Sequence, residues 1–140
     1  MVYVLIIHPI NMLFLIKDEY ISSKIRWKVS KFSDGGIVFI NSIASDYYVR
    51  LELTNKLPSD SFDFTEEEYS KFTEISNDLE VTFIKYSDTQ SLYEVLSLIS
   101  LDLDFYIDND FGTVLINHEF MKLWSQNITW NWLNDFDERE

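Results

Sequence analysis

The chain has 140 residues, 46% hydrophobic and 16% aromatic, which excludes a disordered segment and supplies enough apolar material for one core. With no cysteine it has no disulfide framework, no thiolate nucleophile and no cysteine-based zinc site. The net charge of −13 is uneven: residues 1–57 carry 7 Lys and Arg against 5 acids (+2), and residues 58–140 carry 4 against 19 (−15), a field that repels nucleic acid and steers cationic partners inward.

The opening MVYVLIIHPINMLFLI is apolar but has no basic n-region, no small-residue cleavage site, and interruptions at His8, Pro9 and Asn11. It reads as two core segments of a cytoplasmic protein: a strand over Val2–Ile7, then a strand or short helix over Met12–Lys17, with a break at His8-Pro9. Lys24 to Val29 alternates, placing Ile25, Trp27 and Val29 on one face and the bases Lys24, Arg26 and Lys28 on the other. That basic face is an ordinary solvated one that discourages edge pairing. Asp34-Gly35-Gly36 supplies positive-φ positions for a hairpin to Ile37–Ile40, and Tyr47–Leu53 alternates again.

Thr65-Glu66-Glu67-Glu68 fits a capping box opening a helix through Ile75, with Tyr69, Phe72 and Ile75 on one side. Glu80–Tyr86 is a strand, and Asp88 caps a helix through Ile99 whose Leu92, Val95, Leu96 and Ile99 form a buried stripe. Leu103–Ile107 and Thr113–Ile116 are further strands, and Asn117 caps a last helix over His118–Ser125. Strands followed by helices alternating with strands predict one α+β domain over residues 1–140: an antiparallel β-meander in the N-terminal half, and helices packed on one face of a mainly antiparallel sheet.

The stretch DLDFYIDNDFG, residues 102–112, holds four aspartates within nine positions. As a strand it would set Asp102, Asp104, Tyr106 and Asp108 on one face and Leu103, Phe105 and Ile107 on the other. Such carboxylates suit a hard cation, but the glycine falls one position too early for a calcium loop, and turn chemistry is the better account of Asn109-Asp110-Phe111-Gly112. His118 and Glu119 lack a second histidine at helical spacing, and there is no activated-serine motif or Gly-rich phosphate loop. No catalytic residue, metal or cofactor is assigned. Trp130 and Trp132 alternate near the end and either cap the core or anchor a partner.

Tyr93–Ile99 as an amphipathic helix, Phe105 to Gly112, Glu119-Phe120 and Trp130-Asn131-Trp132-Leu133 together resemble the end of small immunity proteins of bacterial polymorphic toxin and contact-dependent growth inhibition systems. The resemblance covers about the last 50 residues. It implies a non-enzymatic inhibitor of a cognate protein toxin, many of which are basic nucleases, with no direct nucleic-acid or membrane partner. Surface carboxylates of such an inhibitor occupy the groove where phosphates bind. Carried onto this chain, the contacts are Asp102, Asp104, Asp108 and Asp110, with Glu66 and Glu67 on the first helix, and Tyr106, Trp130 and Trp132 as aromatic anchors. Two alternatives stand beside it: an enzyme with an aspartate-bound Mg²⁺, and an acidic nucleic-acid mimic, against which the slightly basic first 57 residues count.

Overall fold

The computed structural model describes residues 3–10, 16, 19–21, 26–32, 36–57, 64–101, 103–108 and 114–126. In chain order these form β1 (Tyr3–Pro9), β2 (Glu19–Ile21), β3 (Arg26–Lys31), β4 (Ile37–Asn41), β5 (Tyr48–Lys56), α1 (Glu66–Phe72), β6 (Leu79–Tyr86), α2 (Thr89–Ser100), β7 (Tyr106–Asp108), β8 (Val114–Ile116) and α3 (Asn117–Gln126). The strands make one sheet in the order β2-β3-β4-β5-β6-β1-β7-β8. Every pairing is antiparallel.

The α+β class and the meander agree with the sequence expectation. The first strand, however, does not join that meander at its start. β1 lies between β6 and β7, and its Val4, Leu5, Ile6 and Ile7 are all buried. An unbroken apolar run suits such a position, because a central strand is covered on both faces. The strand takes in His8, opposite Glu80, and closes at Pro9, opposite Leu79, so the expected break falls at its last residue. β2 is a strand that the sequence pattern did not reveal, and β3 takes in Arg26 to Val29 of the alternating segment, whose Lys24 and Ile25 lie outside the described residues.

The two faces of β1 feed two cores. Val4 and Ile6 join Trp27, Phe39, Val49, Leu51, Ile84 and Ile107 beneath α2 and α3, which contribute Leu92, Val95, Leu96, Ile99 and Phe120. Leu5 and Ile7 join Leu79, Val81 and Tyr106 beneath α1, whose Phe72 is completely buried. Thus α2 and α3 cover one face while the short α1 takes the other. Burying a side chain the size of Phe72 stabilises by about 1.5–3 kcal/mol, and Tyr69 packs beside it to tie α1 to the sheet.

Local chemistry fixes the helix starts as the sequence implied. Thr65 Oγ1 accepts from Glu68 N at 3.1 Å, and Glu68 Oε1 accepts from Thr65 N at 2.9 Å. Asp88 accepts from Ser91 N at 3.2 Å. Tyr93 of α2 stacks on Trp124 of α3 at 5.0 Å, which sets the two helices side by side. Of the Met12–Lys17 segment only Ile16 is described, and it is buried. Phe32 N donates to Gly36 O at 2.8 Å across the expected hairpin, whose Asp34 and Gly35 lie outside the described residues.

Candidate interaction surface

The aspartate-rich stretch does not form the row that strict alternation implied. β7 spans only Tyr106–Asp108, between β1 and β8, and both of its faces are covered. Tyr106 and Asp108 are each 8% exposed, whereas the expectation set them beside Asp104 on an open face. The reason is topological: Tyr106 lies opposite Ile7 and Ile116, so its side is the one that α1 closes. Phe72 meets the Tyr106 ring edge-on at 5.2 Å. Burial raises the Tyr106 hydroxyl above its ordinary pKa, and the charges of Glu74 and Glu119 push it the same way.

Asp104 precedes the strand and is exposed. It pairs with His118 Nε2 at 2.8 Å, at the start of α3. Beneath that pair sits Asn117, fully buried. Its backbone N–H donates to Phe105 O at 2.8 Å, its Oδ1 accepts from Phe105 N at 3.4 Å, and its Nδ2 donates to Ser100 Oγ and Leu103 O. Asn117 was expected as the cap before the last helix; it is instead the first residue of α3, and its side chain turns back to close the loop from α2 to β7. Its Nδ2 also lies 3.5 Å from Asp104 Oδ1.

Glu66 and Glu67 are exposed on the first turn of α1, where acids also favour the positive end of the helix dipole. They belong to a different element from Asp104 and His118, and the carboxylates acting on Tyr106 are Glu74 and Glu119. Asp102, Asp110, Trp130 and Trp132 lie outside the described residues. Among the described residues no group of three or more His, Asp or Glu is placed to hold a metal ion, and no helix is long and apolar enough to cross a membrane.

The face of β3–β6 opposite α2 and α3 carries Lys28, Arg50 and Lys85. Arg50 and Lys85 stand directly opposite each other, a repulsive pairing, and Glu52 bridges both at 3.0 and 2.7 Å. This patch draws on both parts of the sequence, Lys28, Arg50 and Glu52 from the first and Lys85 from the second. A buried polar pair escaped sequence reasoning altogether: His8 Nε2 lies 2.7 Å from Thr82 Oγ1 inside the sheet. No sequence signal marks it, because the contact needs the β1–β6 register.

No family model matches this chain, and no curated protein or solved structure matches it either.

Proposed function

We propose that the chain is an immunity protein: a cytoplasmic, non-enzymatic inhibitor that binds a cognate, basic nuclease-type bacterial toxin through charge-complementary contact. The observation that carries this reading is the charge partition of the sequence, +2 over residues 1–57 against −15 over residues 58–140. Exposed Glu66, Glu67, Asp104 and Glu119 offer part of that negative charge to a partner. An inhibitor must reach its toxin before the toxin reaches nucleic acid, and opposite charge raises the association rate for that purpose. With Tyr106 and Asp108 mostly buried, the contact surface on this reading centres on these exposed carboxylates.

The test is affinity capture from the native cell with this chain as bait, at low and at high salt, followed by expression of the captured protein in a naive host. The expected result is a basic protein, lost at high salt, that arrests growth alone and not when co-produced with this chain. Growth arrest unrelieved by co-production removes the proposal.

A further inference from the structure

We draw no further inference here: the strongest candidate, the basic surface patch of Lys28, Arg50 and Lys85 on the sheet face opposite α2 and α3, carries none, because Glu52 already holds Arg50 and Lys85 and nothing in the structure shows what covers the rest of that face.

Discussion

His8 and Thr82 meet inside the sheet, His8 Nε2 to Thr82 Oγ1 at 2.7 Å, with both side chains fully buried. His8 Nδ1 lies 2.9 Å from Pro9 O, which accepts the ring proton and leaves Nε2 to accept from the threonine hydroxyl. Burial favours this neutral form of the imidazole. Burial lowers its pKa below the ordinary 6.5, against the opposing pull of Pro9 O and Glu80. Above pH 6.5 neither folded nor unfolded His8 binds a proton, and its contribution is complete. Below 6.5 the unfolded chain takes up the proton first, so stability falls as pH falls. Urea unfolding between pH 5 and 7.5 should show this slope, reduced in His8→Gln. Thr82→Val leaves Nε2 without its donor and should cost about 1–3 kcal/mol at pH 7.5.

Glu52 offsets a repulsion built into the register. Without it, Arg50 and Lys85 face each other on neighbouring strands. All three groups are partly solvated, so Glu52→Gln should cost no more than about 1 kcal/mol, and the difference should shrink at high salt. Chemical denaturation by urea at two ionic strengths checks this. A salt-independent loss would point to packing of the Glu52 stem instead of charge.

Among the described residues the buried Tyr86 hydroxyl has no hydrogen-bond partner, and burial pushes its pKa up to about 12. Tyr86→Phe removes that unmet polar group while keeping the ring, so its melting temperature at pH 7 should equal or exceed the parent's. Between the ordinary 10.0 and about 12 the unfolded tyrosine loses its proton while the folded one keeps it, so Tyr86 weakens the fold as pH rises through that window. The phenylalanine variant should lose less stability there. A large loss at pH 7 would mean that the hydroxyl holds a buried water.

Asn117 serves backbone and side-chain partners together. Asn117→Leu keeps the volume but leaves Phe105 N without its side-chain acceptor and Ser100 Oγ without its donor, for a loss of about 1–3 kcal/mol or more. His118→Ala removes only the exposed pair with Asp104 and should change stability by less than about 1 kcal/mol. Similar losses for both would mean that the surface pair, and not the buried amide, holds the α2–β7 loop.

The legible parts of this fold are those that local chemistry decides. Thr65 and Glu68 announce their helix through two reciprocal hydrogen bonds between residues three apart in sequence, and the Leu92–Ile99 stripe predicts its own burial. What escaped is set by register. The alternation around Asp104, Tyr106 and Asp108 looks like a half-open strand until β7 is placed beside β1 and under α1. His8 gains its meaning only from a partner 74 positions away.

Charge reversal separates contact residues from structural ones among the acids of this chain. Glu66→Lys with Glu67→Lys alters exposed positions outside the capping hydrogen bonds, which use Thr65 and Glu68. On the immunity reading, this pair and Asp104→Lys should slow association with the basic toxin, most strongly at low salt, with a dissociation rate nearly unchanged. The α1 pair also opposes the helix dipole, so its melting temperature should fall slightly. Asp108→Lys places a cation at an 8% exposed position opposite Leu5 and should lower the melting temperature sharply. Stopped-flow association at two salt concentrations, read beside thermal melts of the same variants, distinguishes the two roles. If association is unchanged in the exposed variants, their carboxylates solvate the surface only, and charge steering by these positions is removed from the immunity reading.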